Sequence, residues 1–271
     1  MGVVQNLFLG LGKKFRSQRK PNQLSFFQEK RLKHLPDNKI NSLPYKNGQI
    51  WFKRAWEFMH SYEELITNEI YRFKADTDTP YVIDCGANIG LSVLYFKWLY
   101  PKAKVLAFEP DGDNLAILQK NVESYDMNDI SVRQQAVWTK EGHISFQASG
   151  SQASKISLSD TPDTQTVNIP CTRLASFLHQ KVDFLKMDIE GAEYEVLKDC
   201  KDDLANVQHL FVEYHGDIRE SSHLTEILEI LNNAGFMYYI QEASDNVPYP
   251  LLKHKQFHSF DQQLNIYAHR G

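Results

Sequence analysis

Apolar residues first take up a regular spacing near residue 45, and from residue 81 short apolar runs alternate with helical periods. Residues 81–84, 105–108, 130–137, 182–187 and 210–214 are runs of strand length. Between them, 91–100, 113–124 and 192–200 carry apolar positions three and four apart, the mark of a helix packed along one stripe. A further helix over 224–234 stops at Gly235, and 236–240 and 264–268 read as a closing pair of strands. Strand–helix alternation of this kind predicts an α/β fold, a mostly parallel sheet with helices on both faces. Upstream, Asn47-Gly48 between strand-like flanks predicts a hairpin over 45–51. Ser61 followed by Glu64 has the spacing of a capping box, which would open a helix running to about Phe73. Residues 149–166 are polar and without period, and predict a long loop of the kind used as a lid or insertion. The chain thus divides into an N-terminal extension (1–44), a hairpin and helix packing on the core (45–78), and a main domain (79–271).

Charge changes this picture only at the N-terminus. The net charge is −4, yet residues 1–50 hold ten Lys/Arg against Glu29 and Asp37, which leaves −12 on the rest. Val4, Leu7, Phe8, Leu11 and Phe15 share one helical face ahead of Lys13, Lys14, Arg16, Arg19 and Lys20. Such a segment suits an anionic membrane surface as a peripheral contact, and equally suits packing against its own protein; both readings stay open. The basic cluster follows the apolar stretch instead of preceding it, the wrong order for a secretory signal, and no run has the length of a membrane span. Three cysteines, Cys85, Cys171 and Cys200, lack any metal-type spacing. Together these predict a cytoplasmic protein.

The candidate chemistry sits where strands end. The first main-domain strand runs into Asp84-Cys85-Gly86-Ala87-Asn88-Ile89-Gly90, a small-residue turn that lets backbone approach a ligand at the start of a helix. It departs from the dinucleotide fingerprint, because Asn88 stands at the second glycine's place. Glu109, at the end of the next strand, suits the two hydroxyls of a ribose. Asp188, Glu190 and Glu193 crowd the end of the strand at 182–187. The two glutamates can serve the positive end of the following helix, whereas Asp188 is costly there unless paired or used. Glu213 and His215 share one face of the last parallel strand. If these two strands are neighbours, Asp188, Glu190, Glu213 and His215 converge, as a proton-handling set or, through Asp188, Glu213 and His215, as a cation site.

In this order, Asp84-x-Gly86-Ala87-Asn88-x-Gly90, Phe108-Glu109-Pro110 and Lys186-Met187-Asp188-Ile189-Glu190-Gly191-Ala192-Glu193 resemble the FkbM family of S-adenosylmethionine-dependent methyltransferases. The resemblance implies a Rossmann-like class I methyltransferase fold, with seven strands in the order 3-2-1-4-5-7-6 and the last antiparallel. It also implies O-methylation, often of a sugar hydroxyl in a glycan or natural product. Asp84, Gly86, Ala87, Asn88 and Gly90 would line the cofactor's amino-acid end, Glu109 its ribose, and backbone at Gln135 and Ala136 its adenine. Ser149-Gly150-Ser151-Gln152-Ala153-Ser154 resembles the family's Gly/Ser-rich loop. Leu174-Ala175 departs from the family's Leu-Asp at this point.

On this reading Asp188 or His215 is the base that takes the acceptor proton, and Glu190 and Glu213 orient it or the substrate; no metal is required. The acceptor would be a carbohydrate or glycosylated small molecule, with a protein, lipid or other small molecule as the alternative. A nicotinamide oxidoreductase would share the first turn and Glu109 but leaves the 186–193 block unexplained. A nucleic-acid methyltransferase would need a basic groove that the main domain lacks.

Overall fold

The structure, a computed structural model, describes Lys20, residues 22–147, 155–156, 166–244, Leu251 and residues 260–271. The amphipathic stretch up to Arg19 and most of the polar stretch at 149–165 lie outside the described residues.

The chain opens with α1 (Phe26–Leu32), capped by Ser25. The antiparallel hairpin β1 (Asn41–Tyr45) and β2 (Gly48–Phe52) follows. Next, α2 (Ala55–Tyr62) runs straight into a π turn over Glu63–Thr67. The main domain then runs β3 (Tyr81–Cys85), α3 (Leu91–Leu99), β4 (Lys104–Phe108), α4 (Gly112–Ser124) and β5 (Ile130–Arg133). A side excursion follows through β6 (Ala136–Trp138), β7 (Gly142–Gln147), β8 (Lys155–Ile156) and β9 (Thr166–Arg173). The chain returns through β10 (Val182–Met187), α5 (Glu193–Cys200), β11 (Val207–Gly216), α6 (Ser222–Asn233), β12 (Met237–Ser244) and β13 (Gln262–His269).

The main sheet has seven strands in the order β5-β4-β3-β10-β11-β13-β12, with β13 antiparallel to both of its neighbours. Numbering the seven strands along the chain gives 3-2-1-4-5-7-6, the order the resemblance implied. Side chains alternate across it. Ile83, Leu185, Leu210 and Val212 face one core with α5 and α6. Val82, Val105, Phe184 and Phe211 face the other, with α3, the hairpin and α2.

The N-terminal elements belong to that second core, because Leu24, Leu32, Leu43, Ile50, Phe52 and Phe58 are all buried in it. Phe52 and Phe58 stack with ring centroids 4.0 Å apart. Burying side chains of this size stabilises by about 1.5–3 kcal/mol each, so the hairpin and α2 are fastened to the sheet by their apolar faces.

Local expectations differ from the structure in four places. The hairpin loop is Lys46-Asn47, one residue earlier than Asn47-Gly48, and Gly48 already pairs with Tyr45. Gly48 is needed for proximity: a Cβ there would lie 2.7 Å from the Tyr125 ring. Ser61 lies inside α2 and not at its start: the helix begins at Ala55, whose amide donates to the Asp37 carboxylate at 3.2 Å. The helix also stops at Thr67, short of Phe73. The apolar run 130–137 is broken after Arg133, and Ala136 starts a second sheet of order β6-β9-β7-β8. That sheet went unread because its partners are distant in sequence, and one strand carries Pro170. Part of the expected loop, Lys155–Ile156, pairs with β7.

Cys85, Cys171 and Cys200 are buried free thiols. Among the described residues no helix is long and apolar enough to cross a membrane.

Candidate active site at the carboxyl edge of the sheet

Parallel strands bring their carboxyl ends to one edge, and every predicted site residue sits there or just beyond it. The turn after β3 is held from beneath. Gly86 and Ala87 donate their amides to the Phe108 carbonyl at 3.0 and 2.9 Å, and Gly90 closes the turn onto Ala87 at 2.8 Å. Gly86, Asn88 and Gly90 all have left-handed φ, at 83°, 50° and 82°. Gly86 has a second reason to lack a side chain, because a Cβ there would collide with the Asp188 carbonyl oxygen. The ends of β3 and β10 therefore touch through bare backbone.

Glu109 ties the next strand end to this turn. Its Oε2 accepts from the Asn88 amide at 2.7 Å, and its Oε1 accepts from the Asp111 amide at 2.9 Å. Burial pushes its carboxyl up to about 7 although both amides favour the anion. Gln135 is partly exposed beyond β5, and Ala136 is buried at the start of β6.

Asp84 lies deeper than the resemblance suggested. It has no exposed surface, accepts from Ser92 Oγ at 2.6 Å, and lies 3.3 Å from the Lys186 ammonium. Lys186 is the organiser that the sequence reading missed. Its Nζ also donates to the Gly86 carbonyl and lies 3.3 Å from Asp188. Burial works against its charge, but Asp84 and Asp188 outweigh it and raise its pKa, so it stays a cation. The available signal was its position two residues before Asp188, flanked on the strand by Phe184, Leu185 and Met187.

Glu193 is the second organiser. Fully buried at the start of α5, it accepts from the Ile189 amide at 3.0 Å and from the Gly191 amide at 3.1 Å. It also meets His215 Nδ1 at 3.2 Å. This clasp holds the loop after β10 in a form where Glu190 takes φ 57°, a region costly for a residue with a side chain.

Neighbouring β10 and β11 do bring the expected four residues together. His215 Nε2 is 3.7 Å from Glu190 and 3.8 Å from Glu213, while Gln263 donates to Glu213 at 2.7 Å. Burial alone would lower the His215 pKa, but Glu193, Glu190 and Asp188 push it up to about 10. A ring biased this far towards its cation is a poorer proton acceptor at neutral pH than a partly exposed carboxylate, which favours Asp188 of the two candidate bases. Burial raises Glu190 to about 8 and Glu213 to about 7, with Asp188 adding to both.

Among the described residues, a divalent cation could be held by Asp188, Glu190 and His215, whose ligand atoms lie within 4.8 Å of one another. Glu190 thus takes the place in that set that the sequence reading gave to Glu213.

A family model described as the methyltransferase FkbM domain matches residues 84–238, more than half of the chain. The chain belongs to the FkbM methyltransferase family. Three curated relatives of this FkbM chain are instructive. Methyltransferase 1 of Beauveria bassiana is 27% identical over 54% of this chain and 68% of its own length. The 2-O-methyltransferase NoeI of Sinorhizobium fredii is 25% identical over 50% of this chain and 63% of its own. The hexuronic acid methyltransferase AglP of Haloferax volcanii is 31% identical over 50% of this chain and 56% of its own. The matches to NoeI and AglP thus span less than two thirds of those proteins' lengths.

Proposed function

We propose that this chain transfers a methyl group from S-adenosylmethionine to a hydroxyl oxygen of a sugar. The observation that carries the reading is the pairing of two parts at one edge. One is the strained Gly86–Gly90 turn with Glu109 behind it, and the other is the partly exposed Asp188 carboxylate on the adjoining strand end. NoeI, named an O-methyltransferase, and AglP, named for a hexuronic acid, favour oxygen and sugar as acceptor.

The donor set fits the cofactor. Glu109 keeps lone pairs for ribose hydroxyls, and the turn offers backbone at a helix N-terminus for the amino-acid end. Gln135 and Ala136 are the proposed neighbours of the adenine. When bound, the cofactor supplies an already activated methyl on a sulfonium, which leaves the protein mainly alignment to provide.

Asp188 is the proposed proton acceptor. Its side chain is 26% exposed, and Lys186 anchors one of its oxygens. The hydroxyl proton passes to this carboxylate as the carbon–oxygen bond forms, which offsets the weak nucleophilicity of an alcohol. Glu190 and Glu213 hold the acceptor's other hydroxyls, and His215, kept cationic by Glu193, supports both.

The test is Asp188→Asn with labelled cofactor and a panel of glycans, glycolipids and small alcohols. Turnover should drop at least about a hundredfold, while S-adenosylhomocysteine still binds with unchanged affinity. Undiminished transfer would remove Asp188 from the mechanism, and label found only on protein or nucleic acid would overturn the sugar reading.

A further inference from the structure

A cleft of about 460 Å³ opens beside the candidate active site. Glu64 and Asn68 line it from the π turn and its end, and Gln241, Glu242, Asn265 and Tyr267 line it from β12 and β13. We propose that this cleft is the acceptor subsite, and that it selects a neutral or cationic sugar ring over an anionic one. The proposal rests on the sugar-methylating reading and specifies it.

Position is the first support. Asn265 pairs in register with Glu213, and Gln263, on the same face of β13, bonds Glu213 and touches His215. The Glu64 carboxylate is close enough to act on Glu213. The cleft therefore continues the polar row that begins at Asp188.

Chemistry is the second. Asn265 is only 5% exposed, and its Oδ1 has no hydrogen-bond partner among the described residues. A buried acceptor left unmet calls for a donor from elsewhere, and a sugar hydroxyl supplies one. Amide and carboxylate groups accept further hydroxyls, and the Tyr267 ring offers an apolar surface to a pyranose face.

Charge is the third. Among the lining residues Glu64 and Glu242 outnumber the one cation, Lys20, which is bonded to the neutral Asn68, and His60 lies 3.3 Å from Glu64 outside the lining. With Glu213 behind them, these carboxylates disfavour a uronate or phosphate-bearing ring by like-charge repulsion.

Every described residue lining the cleft lies outside residues 84–238, the stretch that matches the family. A shared cofactor-binding core with acceptor groups supplied by flanking segments accounts for a neutral-sugar preference in a relative of a hexuronic acid methyltransferase.

The test uses the full chain, labelled cofactor and three matched probes: methyl glucoside, methyl glucosaminide and methyl glucuronide. The two uncharged-or-cationic probes should exceed the glucuronide in kcat/KM by about tenfold or more. Gln241→Ala and Asn265→Ala should each raise KM for the preferred probe by about tenfold. Gln241→Ala, at an exposed residue, should leave the melting temperature and the affinity for S-adenosylhomocysteine unchanged, so the test stands if the buried-site variant Asn265→Ala fails to fold. The double variant Glu64→Gln/Glu242→Gln should narrow the gap between glucoside and glucuronide. A preference for the glucuronide, or KM unmoved in both alanine variants, overturns the cleft assignment while leaving sugar methylation intact. Label appearing only on a non-sugar alcohol overturns the sugar reading and this proposal with it.

Discussion

Lys186 and Glu193 show how single residues set the site. Each is a charged side chain with almost no exposed surface, and each holds several groups of opposite character at once. Removing one member of such a buried set leaves the others charged and unpaired, which costs roughly 3–5 kcal/mol. Lys186→Met should therefore lower stability in urea by about that amount. Asp84→Leu/Lys186→Met should recover part of the loss, because it removes the stranded carboxylate as well. A Lys186→Met variant as stable as the parent would show that Asp84 needs no partner. The sequence displayed all these charges, but spacing could not tell a base from a strut. His215 illustrates the difference, since its charge state follows from Glu193 and Glu190, which reach it only across strands.

Among the elements, the least legible was the N-terminal unit. Its hairpin was readable from the turn chemistry to within one residue and its packing on the core was expected, but the polar joint beneath that packing was not. That joint includes Asn121 on α4, wholly buried. Its Oδ1 accepts the Trp51 amide at 2.6 Å, and its Nδ2 donates to the Trp51 and Ile89 carbonyls at 3.0 and 2.7 Å. One amide thus joins the hairpin to the turn proposed to hold the cofactor. Asn121→Leu would leave three buried backbone groups unpaired, at about 1–3 kcal/mol for each that finds no water. The expected result is a marked fall in melting temperature together with weaker S-adenosylhomocysteine binding. A fall in melting temperature alone would mean that the hairpin and the turn are not coupled. The capping-box expectation fails for a similar reason: the first amide of α2, at Ala55, is met by Asp37 from a distant loop, and no local motif displays that contact.

Across the whole molecule, the buried glutamates with shifted pKa values act in one direction. Burial raises the Glu109 carboxyl from its ordinary 4.5 to about 7, so its contribution to stability is complete below about pH 4.5 and is lost as the pH rises through 7. For this residue alone the loss is on the order of 3 kcal/mol. Glu213, also raised to about 7, adds a loss over the same range, and Glu190 and His215, raised to about 8 and about 10, extend it to higher pH. Urea midpoints should fall between pH 5 and pH 8, and less steeply in Glu109→Gln; parallel slopes would rule out Glu109 as the source. The sequence by itself determined the sheet, its helices and the strand ends where chemistry gathers, because apolar period and turn residues are local signals repeated along the chain. It also displayed the three motif blocks on which the family resemblance rests. Only the tertiary structure decided which acids are struts, which face solvent, and that the flanking segments close over β13 to form a cleft. Those outcomes depend on burial and on partners brought together from distant parts of the chain, and neither is written in local spacing.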